Sequence, residues 1–448
     1  MRFYLHGTCG AVLLALAACQ TYTAQPLDPA TTLNDTVARR RAGETDVLTL
    51  RAAAALLTDH NAAVRDARAA HAARAAVAGV PEPRPNPSFG VTPTYLSGPG
   101  ILSSDRVGVE VAFGWLFPLG GRRKLTDERR ALEADASAVH VAGTERSQYL
   151  ALRGDFLALD AALRRVDVRE ALRNEVRKTL AALQRLARAG QATALDVHAI
   201  RLDLARADAD LAAARTGVVE ARSQVAARLG VTARPWSVGA RPPLRSLPDA
   251  DELGGLLIAH NSGLAHRRAT YRMVEQDVRL EIARQYPDLA LGPFLEREEG
   301  SNKWGLEIGI EIPLFDRNQV GIARARAARS EQRALFSSAV ARGLDAIEAA
   351  RARVAARAQH LALLKEQIEP LAEQTVALVR RALDSGNADV LRLLDALRRR
   401  QESKLDVVDA EAALYAAWSE LEAACGAPLL VFPDEPVPKD PKSTEKPS

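Results

Sequence analysis

The sequence predicts a mainly α protein with a small β part: a tandem-repeat protomer of long antiparallel helices carrying four membrane β-strands. The first observation is the stretch Trp304–Gly321, WGLEIGIEIPLFDRNQVG. Trp304, Leu306, Ile308, Ile310 and Ile312 alternate with Gly305, Glu307, Gly309 and Glu311, a period of two that gives a strand one apolar and one polar face. Pro313, with no N–H for a ladder, ends it. The second is that Val107–Phe117, VGVEVAFGWLF, repeats the device and ends at Pro118. The third is helix length. About 65 residues without proline follow Gly121, enough for a helix of roughly 100 Å at 1.5 Å per residue.

The two strands belong to a longer duplication. Pro118 and Pro313 are 195 residues apart, His60-Asn61 and His260-Asn261 are 200 apart, and so are Pro87 and Pro287. Gly190 and Leu229-Gly230 stand 196 residues before Gly386 and Cys425-Gly426. Proline, glycine and asparagine landmarks at nearly one offset make two copies of a unit of about 200 residues.

Residues 1–18 read as a signal peptide: Arg2 supplies positive charge, and the apolar run Ala11–Ala18 is too short to span a bilayer as a helix. Leu16-Ala17-Ala18-Cys19 resembles a bacterial lipobox, which makes Cys19 the lipidated first residue of the mature chain. Gln20 follows it, where an aspartate commonly favours inner-membrane retention, so the expected location is the outer membrane. Loss of Cys9 with the signal leaves Cys425 as the only other thiol and excludes an intrachain disulfide framework.

Residues 19–45 read as an extended, lipid-anchored tether. The first repeat, 46–230, is expected to hold a helix to about Gly79, broken by Pro81, Pro83, Pro85 and Pro87. A loose strand from Phe89 to Tyr95, the loop 97–105, the Val107 strand and a long helical hairpin turning at Gly190 follow. Residues 231–248, with four prolines, form a connector. The second repeat, 249–426, has a helix from about Ala250 to Gln285, a strand around Leu289–Leu295, the loop 296–303, the Trp304 strand and a hairpin turning at Gly386. Residues 427–448 are a Pro/Lys/Glu/Ser-rich tail expected to be disordered.

Aromatic residues make up only 4% of the chain, too few for an independent many-stranded barrel. The net charge of +4 is small beside 60 basic and 56 acidic residues interspersed along helices, so the charges form a solvated surface and nucleic acid is not an expected partner. Four strands cannot close a membrane barrel, and lipid does not tolerate open sheet edges. The chain must therefore oligomerise, and a wall shared between copies calls for cyclic symmetry, with three copies supplying twelve strands.

The repeat, the two proline-ended strands and the segments GQATALDV and GNADVLRLLD after Gly190 and Gly386 resemble the TolC-type outer-membrane efflux protein family over roughly Asp46–Gly426. The lipobox is similar to that of the lipidated, CzcC-like and NodT-like branch. The run Ile312–Gln319, IPLFDRNQ, is similar to one in heavy-metal-efflux members. The resemblance implies a homotrimeric α-barrel/β-barrel duct in the outer membrane, with its helical part in the periplasm. It also implies docking to a periplasmic membrane-fusion adaptor and an inner-membrane pump of the resistance–nodulation–division type, with heavy-metal cations as the candidate cargo. It places Gly190 and Gly386 at the adaptor-docking tip turns. Asp196 and Asp395 match acids of the closed tip, while Arg392 stands where an aspartate is often found, so the gate candidates are Asp196, Arg392 and Asp395. Rings of acids around an axis attract cations and gate a tube. Glu110, Glu307 and Glu311 are the expected lumen-facing strand acids.

No catalytic residue, cofactor or metal site is legible. The eight histidines form no i,i+4 pair or His/Cys cluster, and neither a phosphate-binding glycine loop nor HExxH occurs. His60 and His260, equivalent in the repeat, suit a structural role. The alternative to a passive duct is a non-pore, structural coiled-coil lipoprotein. Such a tether has no use for two amphipathic membrane-type strands.

Overall fold

A computed structural model describes residues 22–41, 47–95, 107–298 and 301–433. The signal peptide, Cys19, the loop 97–105 and the tail beyond residue 433 lie outside the described residues.

Helix α1, Pro29–Arg41, forms a small unit of its own. Asp28 starts it, accepting hydrogen bonds from the Ala30 N–H (3.0 Å) and the Thr31 hydroxyl (2.5 Å). This half of the expected extended tether is therefore helical, although none of its side chains is buried.

The second unit carries both repeats. In the first, β1 (Val47–Leu48) leads to α2 (Leu50–His60), α3 (Ala62–Ala78), strands β2 (Ser88–Tyr95) and β3 (Val107–Pro118), then α4 (Arg122–Arg188) and α5 (Ala194–Leu229). The connector contributes β4 (Ser237–Val238), which pairs in parallel with β1. The second repeat follows with α6 (Ala250–His260), α7 (Ser262–Ala283), β5 (Asp288–Glu298), β6 (Ser301–Ile310), α8 (Gln319–Leu363), α9 (Glu369–Asp384) and α10 (Val390–Cys425). A single π-helical turn, Leu364–Ile368, joins α8 to α9, so Gln319–Asp384 is one helical column. This column and α4 are each roughly 100 Å long at 1.5 Å per residue.

The helices preceding the strands were expected to be unbroken, yet each repeat breaks at its asparagine. Asn61 and Asn261 are extended (φ −61° and −67°) and cap the next helix, the side-chain oxygen accepting from the Val64 or Leu264 N–H at 3.0 Å. The amide of the same side chain donates to the end of a returning helix: Asn61 Nδ2 to the Arg228 carbonyl (2.7 Å), Asn261 Nδ2 to the Ala424 carbonyl (3.0 Å). One asparagine thus satisfies orphan groups at two helix ends. The cap glycines of those returning helices, Gly230 and Gly426, lie directly against the two joints, and a Cβ on either would meet backbone within 3 Å. The landmarks at offsets of 200 and 196 residues touch each other in the fold.

Two buried clusters hold the helices. The larger gathers Trp236, Trp418, Phe156, Leu152 and Leu229 around the connector, and includes Ala427, Leu429, Leu430 and Phe432 from the stretch expected to begin a disordered tail. Glu422 fixes that stretch, accepting from the Leu429 and Leu430 N–H groups (2.7 and 2.8 Å) while paired with Arg153 (2.8 Å), both side chains almost fully buried. The smaller cluster, with Leu183, Ile200, Val376, Leu394 and Leu397, lies toward the hairpin turns. Arginine–acid pairs such as Arg169–Asp210 (2.7 Å) and Arg173–Asp208 (2.8 Å) link α4 to α5 along the exposed surface.

Candidate functional site

The four long strands form one antiparallel sheet in the order β2-β3-β5-β6. The register aligns the sequence alternation across it. Val91, Val111, Leu295 and Trp304 form one row, and Phe89 faces Phe113 in another. Side chains directly opposite share a face, so rows of Val, Leu, Ile, Phe and Trp make one apolar surface. It is open to the surroundings: Trp304 is 85% exposed, and Phe89, Ile308 and Trp115 are exposed as well. The opposite face carries the row Thr92–Glu110–Glu296–Lys303. Lys303 is held there by Glu298 (2.5 Å) and Glu296 (3.7 Å). β2 and β6 are outer strands with one unpaired edge each.

Of the three strand acids, the half-buried Glu110 and the exposed Glu307 lie on the polar face, opposite Glu296 and Gly292 respectively. Glu311 does not belong to the strand. β6 ends at Ile310, opposite Leu289; Asp288, the position that would face Glu311, pairs only with Pro118 on the other side of β5. Pairing also continues to Glu298 and resumes at Ser301, so most of the expected loop 296–303 is strand.

The run after β6 is a turn braced by its own hydrogen bonds. The Asn318 N–H donates to Asp316 Oδ1 (2.8 Å), Gln319 Nε2 to the Phe315 carbonyl (2.8 Å) and Arg317 Nε to the Pro313 carbonyl (3.1 Å). Asn318 adopts φ +56° and donates through Nδ2 to Glu281 (2.7 Å), which fixes α7 to the start of α8. The residue types of this motif are explained by turning a strand into a helix.

At the far ends of the columns the two hairpin turns are built alike. Gly190 and Gly386 have φ of +75° and +77°, both are exposed, and a Cβ on either meets nothing within 4 Å in the chain. The Gln191 N–H reaches the Leu186 carbonyl (2.9 Å) and the Asn387 N–H the Ala382 carbonyl (2.7 Å), the pattern of a left-handed helix C-cap. The next helices start at equivalent residues, Thr193 and Asp389. Asp196 closes a capping box: its carboxylate accepts from the Thr193 hydroxyl (2.6 Å) and N–H (3.0 Å), bonds that hold it below the usual carboxylate range. Its counterpart Arg392 uses only its N–H, donating to Asp389 Oδ1 (2.8 Å). Asp395 is exposed and pairs with Arg399 (2.9 Å), one turn further along the same helix, and not with Arg392. Leu195 and Leu391, equivalent in the repeat, are exposed beside the caps.

One grouping was not legible in the sequence. His140 on α4 and His266 on α7, 126 residues apart, face each other with ring centroids at 5.7 Å. Among the described residues no three His, Cys, Asp or Glu side chains are grouped to hold a metal, and no helix is long and apolar enough to cross a membrane.

The architecture is an amphipathic four-stranded sheet seated on paired helical columns of about 100 Å. Residues 253–427, most of the second repeat, match the family model described as "Outer membrane efflux protein". The chain is 26% identical to the cobalt-zinc-cadmium resistance protein CzcC of Cupriavidus metallidurans over 316 residues, 69% of this chain and 74% of that one. Its fold is similar to a crystal structure of a membrane protein from Pseudomonas aeruginosa (TM-score 0.65, 20% identity, 84% of this chain and 93% of that one). It is also similar to crystal structures of CusC (TM-score 0.68, 14% identity, 86% and 94%). The family match covers the second repeat, and the likeness to these solved structures is one of fold along most of the chain.

Proposed function

We propose that the chain is the outer-membrane duct of a tripartite efflux system, assembled as a homotrimer. The observation that carries this reading is the sheet: four strands, one continuous apolar face, two open edges, and a direct run from β3 and β6 into the long columns. In lipid those edges must be paired, and pairing them with neighbouring copies closes a twelve-stranded wall with Glu110, Glu307 and Lys303 facing its lumen. The columns then continue the wall as a helical tube in the periplasm. Cys19 anchors the mature chain to the outer membrane.

At the tube's tip the turns at Gly190 and Gly386, each beside an exposed leucine, dock a periplasmic adaptor bound to an inner-membrane pump, and energy for transport comes from that pump. Open space around both glycines leaves room for a close partner. Asp395, exposed and held only by Arg399, is the better gate candidate. The Asp196 carboxylate is occupied by its own helix cap. The similarity to a cobalt-zinc-cadmium resistance protein favours divalent metal cations as cargo. A deletion strain tests the cargo: hypersensitivity to zinc, cobalt and cadmium with unchanged sensitivity to hydrophobic drugs is expected, and hypersensitivity to drugs alone overturns it.

A further inference from the structure

His140 and His266 border a cleft of about 370 Å³ between α3, α4 and α7, on the strand side of the larger core cluster. Glu133 and Met273 border it too, and Met273 is one of only two methionines in the chain. We propose that His140 and His266 together bind a divalent transition-metal cation of the zinc class, bridging α4 to α7.

The ring geometry suits the assignment. A zinc-class ion sits about 2.0–2.1 Å from an imidazole nitrogen, hence roughly 3.2 Å from the ring centroid. Two rings with centroids 5.7 Å apart then subtend an angle of about 125° at the ion, near the tetrahedral value. The pair lies where α7 packs on the α4 column, so both backbones are fixed before any ion arrives.

With no third His, Cys, Asp or Glu grouped with them among the described residues, water completes the shell. Glu133 stays committed to Arg129 and, at 3.9 Å, to Arg74. A two-ligand site is exchangeable, which suits a channel wall better than a structural metal does. The inference concerns binding by the purified chain and holds whatever solute the duct carries.

The test is calorimetric titration of zinc chloride into the purified full chain bearing an affinity tag without histidine. Alongside it go His140→Gln, His266→Gln and the double variant, with channel conductance recorded on the same preparations. Wild type is expected to take up one zinc per chain through this pair. Loss of either ring, which removes one of two linked ligands, is expected to weaken that binding by about a hundredfold or more. Conductance is expected to persist in all three variants, so loss of the metal site is distinguished from loss of the duct. Superimposable titrations of wild type and double variant overturn the proposal. A second measurement uses wild type alone: zinc is expected to protect both histidines from carbethoxylation by diethyl pyrocarbonate, and equal modification with and without zinc overturns it.

Discussion

Four glycines end helices in the same left-handed conformation, and replacing each by alanine separates two roles that their backbone angles alone do not. Gly190 and Gly386 have φ of +75° and +77°, Gly230 and Gly426 of +73° and +76°. A Cβ in this region costs roughly 1–2 kcal/mol in all four. At the tips nothing else is met within 4 Å. At the joints the new Cβ would lie 2.4 Å from the His60 carbonyl oxygen in Gly230→Ala, and 2.6 Å from Asn261 Cα in Gly426→Ala. Backbone cannot rotate away as a side chain can, so overpacking adds roughly 1–3 kcal/mol and strains the asparagine cap that joins two helices. Unfolding entropy of about 2.1 cal/mol/K per residue over this chain converts 1 kcal/mol into a Tm change of roughly 1 °C. Thermal melting followed by far-ultraviolet circular dichroism is then expected to show a small loss, roughly 1–2 °C, for Gly190→Ala and Gly386→Ala, and about twice that or more for the joint glycines. In an efflux complementation assay with adaptor and pump present, the order reverses: the tip variants lose function out of proportion to their stability. Equal destabilisation of all four variants would refute the close-approach argument. Full complementation by both tip variants would remove the docking role.

Three further outcomes follow from single sites. Glu422→Gln removes the carboxylate that pairs with the almost fully buried Arg153 and accepts from the Leu429 and Leu430 N–H groups, and is expected to cost about 3–5 kcal/mol; faster proteolysis at 427–433 is its signature, and an unchanged digestion pattern counts against the anchor. Burial alone would raise the Glu411 pKa, but hydrogen bonds from Lys365, Arg164 and Arg241 outweigh it and bring it from 4.5 to about 2. A carboxylate with a depressed folded pKa contributes stability that is complete above 4.5 and is lost as pH falls toward 2, on the order of 3 kcal/mol. Glu411→Gln is expected to flatten that part of the stability–pH curve, and an identical curve would contradict the assignment. If Asp395 helps close the tip, Asp395→Ala raises single-channel current or lowers cation selectivity, and unchanged values of both exclude it.

The repeat and the sheet were legible because each rests on local pattern. Alternation from Trp304 to Ile310 needs no partner to be recognised, and landmarks at one offset survive any packing. The errors arose where a distant residue decides. The chain around Asn61 and Asn261 reads as continuous helix, since only the returning helix ends, more than 160 residues away, make those side chains caps at both ends. Glu311 continues the alternation perfectly, but the ladder stops one pair earlier, at Leu289 and Ile310. Leu429, Leu430 and Phe432 look like the start of a polar tail until the buried Arg153–Glu422 pair draws them into the core. The His140–His266 pair exists only because α7 packs on α4. Asp196 was legible as an acid after a turn glycine, and the structure makes it the fourth residue of a capping box beginning at Thr193.

The central claim is that open sheet edges are closed by other copies to form a pore. The most direct measurement is single-channel conductance of the purified chain in planar lipid bilayers, made on a preparation whose oligomeric mass is determined in parallel. The account predicts trimers that insert with discrete, ohmic conductance steps. Folded trimers that never conduct, or a folded monomer stable in detergent with its sheet edges unpaired, would contradict it.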